Sequence, residues 1–282
     1  MKTLKILVAT DFSDEAYNAL FYATKLLANQ PCLFYILHVF KKPTGILPKP
    51  NHLIDETFSL LEKDSTENLK KTFHKIHLDD KNVLHEFKTL SKQGFLSKTI
   101  HETIGTFNID IVFMGNKGTT GAKEIFMGSN TVQTIRDLKK CPLMAVPKEI
   151  EFKLPKKIAF ITDFKKGCNL KTIKPLLQLV KILDASVHIM HIIEEEFLSP
   201  LQASNKKLLH ISFKDFNPNF TSIIEFTDKA QVIDTFVKNR EVDIFSLIHT
   251  KKSFIEQLLK KPVLLDLSMY STVPFLILPH RE

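Results

Sequence analysis

KILVATDFSDEA at residues 5–16 returns as KIAFITDFKKGC at residues 157–168. In each stretch an almost unbroken apolar run ends on Thr-Asp-Phe. Such a run is the mark of a strand buried on both faces, as in a parallel sheet covered by helices on either side. After the first run, Ser13 is suited to cap a helix whose first turn carries Asp14 and Glu15. Ala16, Ala19, Leu20, Ala23, Leu26 and Leu27 then recur at helical spacing.

Other blocks repeat in the same order, the signature of a duplicated unit. FYILHVF (34–40) is echoed by SVHIMHII (186–193), NIDIVFMG (108–115) by EVDIFSLI (241–248), and KKCPLMAVP (139–147) by STVPFLILP (271–279). Asp11 thus corresponds to Asp163, His38 to His191, Asp110 to Asp243 and Pro142 to Pro274, with the second copy shortened between its second and fourth strands. In the first copy the pattern predicts further strands at 33–39, 83–89, 109–114 and 142–146. Helices are expected over 55–77, 94–106 and 129–138. The predicted class is α/β: two tandem, doubly wound, open parallel five-stranded sheets with helices on both faces, Rossmann-like in layout. The expected domains are residues 1–148 and 155–282, joined near Lys148–Leu154.

In such sheets ligands bind beyond the carboxyl ends of the strands. In the first copy two features fall there. One is Ala9-Thr10-Asp11. The other is MGNKGTTGAKEIFMGSN, residues 114–130, which holds Gly115, Gly118, Gly121 and Gly128 in a chain with only 8 glycines. A P-loop is excluded, because Thr120 stands where its second glycine is required. The dinucleotide pattern GxGxxG is excluded by Asn116. The spacing that fits is G-x2-G-x9-G-[ST], met by Gly115, Gly118, Gly128 and Ser129. Glycines let the backbone turn sharply and pass close to a ligand. A helix opening at Gly128-Ser129 offers free N–H groups and a positive dipole end to an anion, and Ser129 adds a hydroxyl.

That spacing, together with ILVATDFS, LHV (37–39), DIVFMGNKG and CPLMAVP in order, resembles the ATP-binding branch of the universal stress protein family. The resemblance runs over the whole chain. It implies an adenine nucleotide alpha hydrolase-like fold and ATP, or AMP or ADP, as ligand, with Mg²⁺ as a phosphate companion. Carried over position by position, it implies that Ala9 and Thr10 lie beside base and ribose and that Asp11 contacts the nucleotide. Val39 would flank the adenine, and Met114 and Gly115 would lie near the ribose. Gly118, Gly128, Ser129 and Asn130 would hold the phosphates. Asn130 departs from the apolar residue often found there, but its backbone N–H serves either way. The residues alone leave a plainer reading open, in which the glycines only shape a tight loop and Asp11 only leads the helix. Lys117 and Lys123 are in reach of phosphate or simply solvated.

The second copy reads IHTKKSFIEQLLKKPVLLDL over 248–267, without glycine. Ile248 stands for Gly115, and Lys261-Pro262 for Gly128-Ser129. Proline has no N–H to give an anion, so this copy is not expected to hold ATP in the same way. The resemblance gives it the role of a partner face in an internal pseudo-dimer and leaves room for a homodimer of chains.

Composition narrows the classes further. The chain is 44% hydrophobic and 25% charged, as in soluble globular proteins. No apolar run approaches the roughly 20 residues of a membrane helix. The N-terminal run meets Asp11, Asp14 and Glu15 too soon for a signal peptide. The net charge of +8 comes from lysines scattered along the chain, with no tryptophan. That argues against a nucleic-acid surface, which needs clustered Arg and Lys with exposed aromatics. Cys32, Cys141 and Cys168 form no framework, which suits a reducing cytoplasm. His38 and His191 fall on buried strands and read as core residues, and His74 and His77 lack further ligands at metal spacing. GxSxG and HExxH are absent, as are the HIGH and SGGxDS signatures of enzymes sharing this broad fold, so no dedicated enzyme is expected. The reading is a stress-response protein with ATP as a regulatory ligand. The alternatives are a protein-interaction module of the same fold and a weak ATP hydrolase.

Overall fold

The two Thr-Asp-Phe runs form the inner strands of one large sheet. The computed structural model describes residues 2–41, 51–116, 127–148, 150–166, 168–193, 197–224, 229–250 and 273–281. The first part of the chain alternates β1 (Leu4–Ala9), α1 (Asp14–Leu26), β2 (Cys32–Phe40), α2 (Asn51–Asp79), β3 (His85–Gln93), α3 (Leu96–Phe107), β4 (Ile111–Gly115), α4 (Ser129–Asp137) and β5 (Leu143–Val146). The second part follows with β6 (Lys157–Thr162), α5 (Leu170–Leu183), β7 (Ser186–Ile193), α6 (Pro200–Phe213), a short 3₁₀ turn, β8 (Asn219–Ile224), α7 (Lys229–Asn239), β9 (Ile244–His249) and β10 (Phe275–Pro279).

The strand order is β3-β2-β1-β4-β5-β10-β9-β6-β7-β8. Within each half every pairing is parallel, as expected for strands linked by crossover helices. The halves join through β5 and β10, which run antiparallel with Phe275 opposite Ala145 and Ile277 opposite Leu143. The two expected five-stranded sheets are therefore present as halves of a single ten-stranded sheet. LMAV and FLILP are fully buried runs, and an open apolar edge would be a template for unwanted pairing. Each strand covers the other. One consequence matters for function. The carboxyl ends of β1–β5 and of β6–β10 face opposite edges of the sheet.

Side chains alternate between the two faces. Ile6, Val8, Phe34, Phe113, Phe160 and Leu276 pack on one face with α1 and α5. Leu7, Leu37, Val112, Leu143, Phe245 and Ile277 pack on the other with residues of α3, α4 and α7. Both clusters run across the β5–β10 junction. Ser13 caps α1, its hydroxyl accepting from Ala16 N at 3.2 Å. Asp110 and Asp243 do equivalent work in the two halves, accepting from the first residues of neighbouring strands: Lys5 N for Asp110, Lys157 N for Asp243, each at 2.9 Å.

Local chemistry displaces some boundaries. β3 begins at His85 rather than 83, because Asn82 folds the chain into a turn: its side chain accepts from Leu84 N at 3.0 Å and its carbonyl from His85 N at 3.1 Å. The shortening of the second half falls largely in α6, 14 residues against 29 in α2. The segment after β5 is packed rather than loose. Asn18 Nδ2 donates to the carbonyls of Pro147 and Lys148, Lys148 pairs with Glu15 at 2.9 Å, and Phe152 meets Tyr22 edge-on at 5.4 Å. The three cysteines are buried and free. Burial pushes the Cys32 thiol up to about 12 and that of Cys168 to about 11.

Candidate functional site

β1 and β4 lie side by side with Val8 opposite Phe113, so Ala9 and Met114 come next to each other at the carboxyl ends of the two strands. Both are buried on the same face. Val39, near the end of β2, packs half-buried on that face as well. Thr10 N donates to Leu37 O at 2.9 Å, carrying the strand ladder one residue beyond β1. Its hydroxyl accepts from Phe12 N at 3.0 Å. Exposed Asp11 is held by its own turn. Its Oδ1 accepts from Ser13 N at 3.1 Å, and Ser13 Oγ donates to it at 2.5 Å. The α1 cap thereby fixes the Asp11 carboxylate at the sheet edge.

The turn places Phe12 in the left-handed region, φ 65°, uncommon for a bulky residue. Its ring lies 4.3 Å from the His38 ring. His38 Nδ1 is 2.8 Å from Ser65 Oγ on α2, which is 2.7 Å from Ser91 Oγ on β3. Burial holds His38 below its ordinary range, opposed by the charges of Asp11 and Asp64.

β4 ends on buried Gly115. Beyond it, Asn116 N donates to Val146 O at 2.8 Å, and Gly128 N donates to Asn116 O at 2.7 Å. Gly128 is the N-cap of α4, with φ −59°, ψ 143° and no side chain to satisfy the first turn. The first bond of the helix runs from Val132 N to Gly128 O at 3.0 Å. The N–H groups of Ser129, Asn130 and Thr131 therefore precede the helical ladder, at the positive end of the helix dipole. Ser129 and Asn130 are exposed. Thr131 is buried and donates to Gly115 O at 3.0 Å.

Ala9, Thr10, Asp11, Met114, Gly115, Gly128, Ser129 and Asn130 thus gather at one edge of the sheet. The gathering point lies between β1 and β4, where the strand order reverses, and Val39 flanks it from β2. Gly118, Gly121, Lys117 and Lys123 lie outside the described residues. Sequence reasoning missed Thr10 as the former of the turn, the Phe12–His38–Ser65–Ser91 chain, and Thr131. A signal for the turn was present, because Thr-Asp-Phe occurs twice.

The second half repeats the turn. Thr162 Oγ1 accepts from Phe164 N at 3.0 Å and Asp163 Oδ1 from Lys165 N at 2.8 Å. Phe164 has φ 58° and stacks on His191 at 4.3 Å. Here α6 closes over the turn, with Gln202 Nε2 donating to Asp163 O at 3.0 Å and Asn205 Nδ2 to Phe164 O at 2.7 Å. Ile248 occupies the place of Gly115 with a half-buried side chain. Lys261-Pro262 lies outside the described residues. Among the described residues no group of three His, Cys, Asp or Glu is placed to hold a metal, and no helix is long and apolar enough to cross a membrane.

Comparison with known proteins adds an independent line. The family model of the universal stress protein family matches residues 2–147. The chain is 30% identical over 149 residues to the universal stress protein YxiE of Bacillus subtilis, spanning 50% of this chain and 97% of that protein. It is 27% identical over 156 residues to the universal stress protein MJ0577 of Methanocaldococcus jannaschii, spanning 51% of this chain and 95% of that one. A universal stress protein from Archaeoglobus fulgidus superposes over 99% of this chain and 97% of its own, with a TM-score of 0.67 at 15% identity, a likeness of fold. The matched region contains β1 through β5 and the glycine-capped helix: this chain belongs to the universal stress protein family.

Proposed function

We propose that this protein binds ATP at the edge of its first half and carries it as a regulatory ligand in a cytoplasmic stress response. The observation that carries the reading is the α4 N-terminus. It is capped by a glycine that offers no competing side chain, and it is held against the end of β4, beside β1 in the sheet. An anion there meets several backbone N–H groups and the helix dipole without needing a dedicated cation. In this reading Ala9, Thr10, Val39 and Met114 border base and ribose, and Asp11 engages the nucleoside. Gly115 gives the backbone close approach. Gly118, Gly128, Ser129 and Asn130 take the phosphates, with Mg²⁺ accompanying them.

The chain is read as two tandem domains, 1–148 and 155–282, of which only the first carries ATP. The matching strand orders of the two halves support the duplication. The β5–β10 pairing supports an internal pseudo-dimer. The nucleotide serves as a signal rather than a substrate for turnover. The test is unfolding of the nucleotide-free protein with and without ATP, followed by chromatography of the nucleotide after prolonged incubation. Stabilisation that grows with ATP concentration, with the nucleotide recovered intact, is expected. Rapid conversion to ADP that disappears in Asp11→Ala would replace this reading with an enzymatic one.

A further inference from the structure

We propose that Thr131 is a positioning residue that aims the anion-binding end of α4. The proposal rests on the ATP reading above and identifies what keeps that site assembled. The N–H groups of Ser129 and Asn130 can serve a phosphate only if the helix end stays fixed relative to the strand exits that hold the nucleoside. Among the described residues, two direct hydrogen bonds join that helix end to the end of β4. Gly128 N donates to Asn116 O at 2.7 Å, which pins the helix at its cap but does not fix the first turn beyond it. Thr131 Oγ1 donates to Gly115 O at 3.0 Å, from within the first turn, and sets the direction.

The Thr131 hydroxyl lies in the first turn of α4, where the carbonyl four residues earlier, that of Met127, precedes the helix, and it reaches outward like that of Thr172, which donates from the first turn of α5 to Arg281 O at 3.2 Å. Thr134, Thr103 and Thr106 each turn back to the carbonyl four residues earlier in their own helix, at 2.8, 2.7 and 3.0 Å. That is the usual habit of a helical threonine. Thr131 instead reaches out of its helix to a strand carbonyl, with its side chain buried at 3% exposure. A β-branched side chain has few rotamers to choose from, so the bond is stiff. Continuing the alignment of Lys261-Pro262 with Gly128-Ser129, the second half has Leu264 at this position. The hydroxyl is missing from the same half that lacks the glycines.

Removing the hydroxyl leaves the first turn of α4 tied to the end of β4 by the cap bond, while buried Ile135 and the Ser97–Asp137 hydrogen bond to α3 hold the rest of the helix. Phosphate contacts then weaken, while contacts to base and ribose, which come from the ends of β1, β2 and β4, do not. The test is calorimetric titration of ATP and, separately, of adenosine into the wild type, Thr131→Val and Thr131→Ser. Thr131→Val, which replaces the hydroxyl by a methyl group, is expected to lose tenfold or more of ATP affinity while adenosine changes by less than twofold. Thr131→Ser keeps the hydroxyl and is expected to stay within threefold of the wild type for ATP. Wild-type ATP affinity in Thr131→Val overturns the proposal. So does an equal loss for ATP and adenosine, which would mark a general structural role, and so does a Thr131→Ser variant as weak as Thr131→Val. If Thr131→Val fails to fold, Thr131→Ala against Thr131→Ser makes the same comparison, since both lack the methyl and differ in the hydroxyl. A wild type that binds neither ligand removes the ATP reading and this proposal with it, whereas the preceding outcomes overturn the proposal alone.

Discussion

Replacing Gly128 by aspartate should move stability and ligand binding in opposite directions. Gly128 sits at the N-cap of α4 with φ −59° and ψ 143°, a conformation any L residue adopts, so the backbone is not strained by the change. An aspartate there can accept from the N–H groups of the first turn. Against glycine that cap is worth a few tenths of a kcal/mol, and its charge at the positive end of the helix adds about 0.3–1 kcal/mol. The nucleotide-free variant should therefore be more stable by about 0.5–1 kcal/mol. The same carboxylate occupies the N–H groups proposed for phosphate and repels it. In the wild type, ATP at a hundredfold excess over Kd should stabilise by about 2.7 kcal/mol. In Gly128→Asp that gain should vanish. Urea unfolding of both proteins, with and without ATP, measures all four values. If Gly128 instead serves only close packing, the variant will be less stable without nucleotide and will keep its response to ATP. That result would refute the reasoning.

Two further outcomes follow from buried polar groups. Ser246 is fully buried on β9 between Phe160 and Leu276, and its hydroxyl finds no hydrogen-bond partner among the described residues. Its counterpart in the first half is Phe113. An unsatisfied buried hydroxyl costs about 1–3 kcal/mol, so Ser246→Ala should raise the urea midpoint, and a lowered midpoint would contradict the assignment. His38 and His188 are both held below the ordinary histidine range, chiefly by burial. For His188 the nearby Arg240 and Lys157 add to the effect. Below about pH 6.5, the unperturbed histidine value, the unfolded chain takes up protons that the native chain refuses, so stability falls with pH and is fully present above that value. Unfolding from pH 8 down to pH 5 should show this loss, and His188→Gln should make it shallower. A loss unchanged in the variant would exclude His188 as a contributor.

The strands were legible because ILVA and IAFI are runs that only a doubly covered sheet accommodates, and because the Ser13 cap and the helical spacing after it are local signals. What the sequence hid was non-local. Nothing in LMAV or FLILP says that they pair with each other, because an apolar run carries no record of its neighbour. The reach of Thr131 to Gly115 O looks, in sequence, like any helical threonine. Phe12 gave no sign of its left-handed backbone, which the Thr10 and Asp11 side chains impose through the turn and the His38 ring supports from below. The start of β3 was misplaced because Asn82 acts through its side chain on the backbone ahead of it. The packing of Phe152 on Tyr22 likewise turned an expected linker into part of the core.

If one half of the chain, and only one, holds ATP, calorimetric titration of ATP into nucleotide-free protein beside a Gly118→Val/Gly128→Val double variant should find one site per chain in the wild type and none in the variant. Two sites per chain, a site that survives in the variant, or no heat at millimolar ATP would contradict that reading.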